Sequence, residues 1–179
     1  CKMIQLVECP RDAMQGFENF IPTNLKAEYI NTLLKVGFHT IDFGSFVSPK
    51  AIPQMRDTAE VLSKLNLEGS SSKLLAIVAN SRGAEQAASF SEIQYLGYPF
   101  SVSEVFQKRN TNRTIEDSLI LVDRMQNLVA KHNKELIVYL SMAFGNPYQE
   151  VWHPDIVAKY TEILVNMGIR TLALSDTIG

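Results

Sequence analysis

The chain has 179 residues, of which 46% are hydrophobic and 20% are charged, and its formal net charge is -2. This length and composition fit one globular domain with a sizeable core and exclude an intrinsically disordered chain. The near balance of charge gives no electrostatic basis for binding nucleic acid or an anionic membrane, so a compact ligand is the expected partner.

Cys1 and Cys9 are the two cysteines. They are too few for a disulfide framework and lack metal-ligand spacing, so we expect free thiols and a reducing compartment. No apolar run reaches the roughly 20 residues that span a bilayer, and the first ten residues lack the order of a signal peptide. These features predict a cytoplasmic protein.

Six short apolar runs recur along the chain and predict buried parallel strands. Near-continuous apolar runs are typical of strands that are covered on both faces. The six runs are MIQLVEC (3–9), HTIDF (39–43), LLAIVAN (74–80), EIQYLGY (92–98), ELIVYLSM (135–142) and RTLALSD (170–176).

Three stretches between these runs have helical spacing. Residues 23–37 begin with Thr23 as a candidate N-cap and end at Gly37 as a stop signal. Residues 113–133 and 153–168 repeat the pattern, and Thr114 with Asp117 in the first of them resembles a capping box. The predicted core face of the 23–37 helix consists of Leu25, Tyr29, Leu33 and Leu34.

This alternation predicts an α/β fold with a parallel sheet, either an open doubly wound sheet or a closed (β/α)8 TIM barrel. No glycine-rich phosphate loop follows the first run, whereas polar residues follow every run, as in barrel enzymes. We therefore predict a TIM barrel. Eight βα units usually take about 250 residues, so residues 1–179 are expected to form a single, incomplete catalytic domain of about six units, with the last two absent.

The polar residues that follow the first run are Arg11 and Asp12. A carboxylate suits a hard divalent cation such as Mg²⁺ or Mn²⁺, and a guanidinium stabilises an oxyanion. Asp42 follows the second run and is predicted to share metal binding or act as a general base. The alternatives are a surface turn with a weak ion pair for Arg11 and Asp12, and a loop-starting residue for Asp42.

Weaker candidates follow in chain order. Ser45, Ser48 and Lys50 form a loop that suits an acyl or phosphate-bearing ligand, and Lys108 could meet a phosphate or be part of a solvated charge run. Asp176 is a candidate support for the site.

The three histidines are His39, His132 and His153, and none is placed as a metal ligand. Asp12 and Asp42 would form a poor metal cage by themselves.

Five segments together resemble hydroxymethylglutaryl-CoA lyases, a metal-dependent barrel family related to isopropylmalate and homocitrate synthases. The segments are VECPRDAMQG, TIDFGSFVSPKAIPQM, SEVFQKRNTNRTIEDS, YLSMAFGNPY and LALSDTIG, in the order and spacing of that family. The resemblance implies cleavage of 3-hydroxy-3-methylglutaryl-CoA into acetyl-CoA and acetoacetate, a reaction of leucine degradation.

The resemblance also implies roles for individual residues. Asp12 would ligate the divalent metal, Arg11 would stabilise the enolate of the departing acetyl thioester, and Gln15 would support both. Asp42 stands where the family has a catalytic glutamate. Residues lining or near the acyl-CoA pocket would be Ser45, Ser48, Lys50, Asn80 and Lys108, and Asp176 would shape the site.

Several positions depart from the family pattern. Ala13 and Met14 replace Gly-Leu, and Asn146 replaces the cysteine of a Cys-Pro pair. The family's His-x-His ligands, metal-binding asparagine and catalytic cysteine lie in the seventh and eighth units, and neither Cys1 nor Cys9 matches that cysteine. Two other hypotheses therefore stay open, a condensing enzyme that joins acetyl-CoA to a 2-oxo acid and a non-catalytic ligand-binding relative. The oligomeric state, including a homodimer, is also open.

Overall fold

The computed structural model describes residues 4–179, so Cys1 and the first residue of the 3–9 run lie outside it. The described strands are β1 (Val7–Glu8), β2 (Thr40–Ser45), β3 (Lys73–Ile77), β4 (Ile93–Ser101), β5 (Glu135–Ser141) and β6 (Thr171–Leu174). The described helices are α1 (Pro10–Gln15), α2 (Thr23–Leu34), α3 (Thr58–Ser63), α4 (Ser81–Ala88), α5 (Glu104–Thr111), α6 (Ile115–Lys131) and α7 (Pro154–Asn166), with a 3-10 turn at Pro53–Met55.

All six strands are parallel and pair in sequence order from β1 to β6. A doubly wound sheet requires a point at which the strand order reverses, and this sheet has none. The sheet curls into part of a (β/α)8 TIM barrel, as the polar strand ends predicted.

The two faces of the sheet have different neighbours. On the outer face, alternate strand residues such as Leu74, Leu96 and Leu136 belong to the core between sheet and helices. The inner face is crowded at Gly97, where a Cβ would lie 2.6 Å from Ile77 Cδ1 and 3.0 Å from Tyr139 Cε2. The inner face is therefore closely packed at this point, whereas Ile137 and Tyr139 on the inner face of β5 are half-buried.

An irregularity in β2 changes which residues face the barrel interior. The register with β3 shifts between Asp42 and Gly44, so Asp42 pairs with Leu75 while Ser45 pairs with Ile77. Without the shift, residues three apart on a strand would face opposite sides. The bulge instead places Asp42 and Ser45 on the same inner face.

Several local predictions need correction. The helix over 23–34 buries Lys26, Ala27, Ile30 and Leu34. The predicted core face is confirmed for Leu34 and for the partly buried Leu33, and it was wrong for Leu25 and Tyr29, which are exposed. Thr23 is the first helical residue and Pro22 holds the N-cap position, so Thr23 is not a cap. Helices α1, α3, α4 and α5 are short and were not predicted, because a helix of six to eight residues gives little periodic signal.

The predicted capping box is confirmed, and two strands extend beyond their predicted ends. Thr114 and Asp117 form a complete capping box at the start of α6. β2 and β4 run two and three residues beyond their predicted ends, to Ser45 and Ser101. Within residues 4–179, no helix is long and apolar enough to cross a membrane.

Candidate active site at the carboxyl ends of the strands

The chain leaves β1 directly into α1, which begins at Pro10 in the first helical turn. Proline suits this position because the first N–H groups of a helix have no intrahelical partner. The turn brings Arg11 from the end of β1 to the inner face of β2, and that placement makes its long-range contact possible.

Arg11 forms a bidentate ion pair with Asp42. Its Nη2 lies 2.6 Å from Asp42 Oδ2, and its Nε lies 3.1 and 3.2 Å from the two carboxylate oxygens. The Asp42 side chain is fully buried and that of Arg11 is 12% exposed. The alternative of an exposed, weak ion pair is therefore excluded for Arg11, whose principal partner is not its neighbour in sequence.

Arg11 is held on its other side by two residues of its own helix. Nη1 donates to Asp12 Oδ1 and to Gln15 Oε1, each at 3.0 Å, and Gln15 Nε2 donates to Asp12 Oδ1 at 3.1 Å. We call Arg11, Asp12, Gln15 and Asp42 the arginine cluster. A guanidinium has five N–H groups. These bonds use one on Nε, two on Nη1 and one on Nη2, so one Nη2 N–H is left without a partner among residues 4–179.

Burial and charge act in opposite directions on Asp42. Burial raises the pKa of its carboxyl above the ordinary value, while the Arg11 guanidinium opposes the shift. Burial lowers the pKa of Arg11, but the charge and the hydrogen bonds of Asp42, together with the charge of Asp12, raise it by more, so the pKa lies above its ordinary value. The two groups are thus strongly interdependent.

Two further side chains, which the sequence did not indicate, lie near the arginine cluster. Burial raises the pKa of the Tyr139 phenol, and the charge of Asp42 raises it further. Burial raises the pKa of the Cys9 thiol to about 11, and Cys9 is a free cysteine. Tyr139 could have been found only from its register, since it lies two residues before the end of β5 on the inner face.

The predicted acyl-binding loop has one buried and two exposed members. Ser45 is 2% exposed, and its Oγ has no hydrogen-bond partner within the described residues. Ser48 and Lys50 are exposed, and the amide of Lys50 donates to Ser48 Oγ at 3.3 Å. An unpaired buried hydroxyl is uncommon in native structures and marks Ser45 as a candidate ligand contact.

The remaining candidates are not part of the arginine cluster. Asn80 is the N-cap of α4, and its Oδ1 accepts from Gly83 N at 2.8 Å. A Cβ at Gly83 would overlap the backbone oxygen of Phe46, so this helix start lies against the end of β2. Lys108 is exposed in the last turn of α5. Asp176 is exposed and its Oδ1 accepts from the Gly179 amide at 3.1 Å, so its contact is with its own turn.

The fit of a divalent metal depends on Asp12. Its side chain is 66% exposed and its Oδ1 is fixed by Arg11 and Gln15, which suits one oxygen ligand. Both Asp42 oxygens are bonded to Arg11. Within residues 4–179, no three His, Cys, Asp or Glu side chains are grouped to hold a metal, so Asp12 fits as a single ligand and the described residues do not complete a cage.

The histidines lie where their sequence positions predicted. His39 precedes β2 at the amino-terminal side of the sheet, His132 is the C-cap of α6, and His153 is the N-cap of α7. None of them reaches the arginine cluster through a described hydrogen bond.

A curled parallel sheet with an oriented arginine and two carboxylates at the carboxyl ends of its strands defines this chain as part of a TIM barrel of the enzyme type. The chain belongs to the HMGL-like family, whose family model matches residues 4–179.

Individual relatives agree with this assignment. The chain is 34% identical over 180 residues to the mitochondrial hydroxymethylglutaryl-CoA lyase of Bos taurus, an alignment that covers 99% of this chain and 54% of that protein. The chain therefore spans about half the length of the curated relatives it matches.

Solved structures agree as well. The HMG-CoA lyase of Bacillus subtilis is 34% identical and superposes with a TM-score of 0.93, covering 100% of this chain and 60% of that one. An HMG-CoA lyase from Acinetobacter baumannii in complex with coenzyme A and 3-methylmalate is 28% identical with a TM-score of 0.91, covering 99% of this chain and 57% of that one.

Proposed function

We propose that this protein cleaves 3-hydroxy-3-methylglutaryl-CoA into acetyl-CoA and acetoacetate. The observation that carries the proposal is the Arg11 guanidinium, which is fixed on two sides by carboxylates and retains one N–H on Nη2 within the described site. Family membership supports the same reaction class, because the matched relatives are named as lyases for this substrate.

The proposed reaction is a retro-Claisen cleavage. The tertiary hydroxyl loses its proton, the C–C bond between C2 and C3 breaks, and its electron pair forms the enolate of acetyl-CoA while C3 becomes the ketone of acetoacetate. Protonation of the enolate carbon then gives acetyl-CoA. Arg11 donates its remaining N–H to the thioester oxygen, on which negative charge develops in the transition state, so this hydrogen bond strengthens as the barrier is crossed.

The other residues of the arginine cluster support this donor. Asp42 accepts from Nε and Nη2 and thereby fixes the plane of the guanidinium. Gln15 and Asp12 fix Nη1. We propose Asp12 as the ligand that this chain contributes to a divalent metal, Mg²⁺ or Mn²⁺, and such an ion would supply Lewis acidity toward the substrate oxygens.

We propose that the acyl-CoA substrate lies across the end of β2. Ser45 Oγ is the candidate hydrogen-bonding group for the acyl portion, because it is buried and unpaired among the described residues. Ser48, Lys50 and Lys108 are exposed polar groups available to the coenzyme A portion, and Asn80 orients the start of α4 beside them. Asp176 is proposed only as a residue that shapes the turn after β6.

The test uses the protein expressed from its complete coding sequence, assayed with Mg²⁺ or Mn²⁺ for release of both products. We expect Arg11→Met to lower kcat by about 10²-fold or more, because removing one oxyanion donor typically costs this much. Arg11→Lys, which keeps the charge and loses the forked geometry, should lose most of the activity as well. Arg124→Met, at an exposed position on α6, is the matched control.

An Arg11→Met variant with unchanged activity would contradict the proposal. Formation of a new C–C bond from acetyl-CoA and a 2-oxo acid, without cleavage of the lyase substrate, would favour the condensing alternative. Binding of acyl-CoA without any turnover would favour the non-catalytic relative.

Residues 1–179 are proposed to form one barrel domain that is two βα units short of closure. A cytoplasmic location stays a proposal that rests on cysteine usage, and the bovine relative is named as mitochondrial.

A further inference from the structure

The segment between α1 and α2 has no regular structure, yet one side chain bonds three of its backbone groups. Gln54 Nε2 donates to Phe17 O at 3.1 Å and to Asn19 O at 3.0 Å, and Gln54 Oε1 accepts from Ile21 N at 2.8 Å. Gln54 is 4% exposed. Its amide thus replaces the hydrogen bonds that a strand or helix would give this segment.

Gln54 is itself held in place from α2. Its backbone oxygen accepts from Lys26 Nζ, and the same ammonium lies 2.7 Å from Asp57 Oδ1. Lys26 is 2% exposed, so the ion pair between Lys26 and Asp57 is removed from solvent and depends on a well-defined geometry. The Phe20 ring contacts two cations, and its centroid lies 4.1 Å from Lys26 Nζ and 3.9 Å from Arg56 Cζ.

These contacts join two loops that both belong to the candidate site. The segment at 17–21 directly follows α1, which contributes Arg11, Asp12 and Gln15. Gln54 lies in the 3-10 turn that follows the Ser45–Lys50 loop. The two loops are therefore joined directly by the three hydrogen bonds of the Gln54 side chain.

The six-residue α1 needs such support. A helix of this length is not stable by itself, and its N-cap residue Cys9 makes no side-chain capping bond. The direction of α1 must come from tertiary contacts, which include the burial of Met14, the pairing of Arg11 with Asp42 and the segments at its two ends. The end before Arg11 is fixed by β1, and the end after Gln15 is fixed by the segment that Gln54 binds.

We propose that Gln54 is a positioning residue that orients α1 and, through it, the Arg11 guanidinium on Asp42. The inference deepens the proposed function and rests on it for the kinetic effect. Gln54 lies outside the arginine cluster and is not proposed to touch a reacting atom. Its effect passes through the placement of Arg11, where a displacement of about 1 Å can cost about 10²-fold in rate.

The kinetic test compares Gln54→Met with a matched control. Gln94 also uses its side chain on the backbone, accepting from Leu74 N at 2.8 Å, but at the opposite end of the sheet. We expect Gln54→Met to lower kcat by about 10-fold to 10²-fold with KM little changed, and Gln94→Met to change kcat by less than about 2-fold.

A double-mutant cycle separates positioning from general destabilisation. If Gln54 acts through Arg11, Gln54→Met will cause no further loss in the Arg11→Met background. Equal losses in both backgrounds would overturn the proposal. Phe20→Leu provides a second variant, because it removes the two cation contacts and leaves Gln54 intact, and it should lower kcat in the same direction.

A measurement without substrate distinguishes this inference from the proposed function. Hydrogen exchange followed by mass spectrometry should show reduced protection of peptides covering residues 10–21 in Gln54→Met, with protection of α6 unchanged. Unchanged protection of residues 10–21 would contradict the inference. A wild-type protein that lacks lyase activity but shows this local loss in Gln54→Met would contradict the proposed function and support the positional role.

Discussion

At the scale of single residues, Arg11 and Asp42 form the buried ion pair of the candidate site. They are 31 positions apart, and the carboxylate that fixes the guanidinium is fully buried. Removing one partner of such a pair leaves an uncompensated buried charge, which typically costs about 3–5 kcal/mol. Removing either Arg11 or Asp42 should therefore lower the free energy of unfolding as well as the activity.

We predict that Arg11→Met makes stability depend more steeply on pH. Without the guanidinium, burial acts unopposed and raises the pKa of Asp42 further. The folded state then binds the Asp42 proton more tightly than the unfolded state does, so the free energy of unfolding falls as pH rises from about 4 to 8. Urea unfolding of the wild type and the variant across this range measures the difference.

Asp42→Asn supplies the control for this prediction. In the Arg11→Met background, a neutral amide replaces the buried carboxylate, so the additional pH dependence should disappear. An Arg11→Met variant whose unfolding free energy parallels that of the wild type from pH 4 to 8 would show that Arg11 does not control the ionisation of Asp42.

At the scale of elements, the bulge in β2 brings Asp42 and Ser45 to one face. Gly44 is essential there, because a Cβ at this position would lie 2.5 Å from Thr58 Cγ2 on α3. Thr58 Oγ1 in turn accepts from Ser45 N at 3.1 Å and donates to Met55 O at 2.8 Å. Thr58 thus connects the bulge in β2 to the 3-10 turn through its methyl group and its hydroxyl group.

Gly44→Ala should destabilise the protein by about 1–3 kcal/mol, the usual cost of overpacking. Thr58→Ser removes Cγ2 and keeps the hydroxyl, so the double variant should be more stable than Gly44→Ala alone. Thermal unfolding of the four proteins in this cycle provides the measurement. Equal stabilities of Gly44→Ala and the double variant would mean that the clash with Cγ2 is not the cause.

At the scale of the whole molecule, the sheet has two edges within residues 4–179. Exposed apolar side chains lie beside both edges, with Leu6 and Val7 at β1 and Leu174 and Ile178 at or beyond β6. A strand edge with exposed apolar residues is a template for pairing with another chain. A closed barrel would remove both edges.

The polypeptide 1–179 produced by itself should therefore self-associate at concentrations of about 100 μM. Sedimentation velocity over a concentration series measures this association. Substituting Val7→Lys and Leu174→Lys places charge at the two edges and should shift the distribution toward monomer. A wild-type polypeptide that stays monomeric throughout the series would contradict the expectation.

The sequence by itself determined the class of the molecule. Buried parallel strands have a nearly continuous apolar pattern, and the polar residues after each run indicated the carboxyl ends at which a barrel gathers its functional groups. Arg11, Asp12 and Asp42 were predicted as candidate site residues in this way. Local signals succeeded where the interaction is local, as for the capping box of Thr114 and Asp117.

Only the tertiary structure decided the partners of these residues. The face on which Ser45 lies depends on a register shift, the partner of Arg11 is 31 positions away, and Gln54 binds a segment more than 30 positions before it. The sequence prediction for the buried face of α2 missed Lys26 for the same reason, since Lys26 is buried where Gln54 O and Asp57 Oδ1 accept hydrogen bonds from its ammonium group. The periodicity of a sequence indicates which residues of one element share a face. Hydrogen bonds between residues that are distant in sequence depend on how the tertiary structure brings two segments of backbone together.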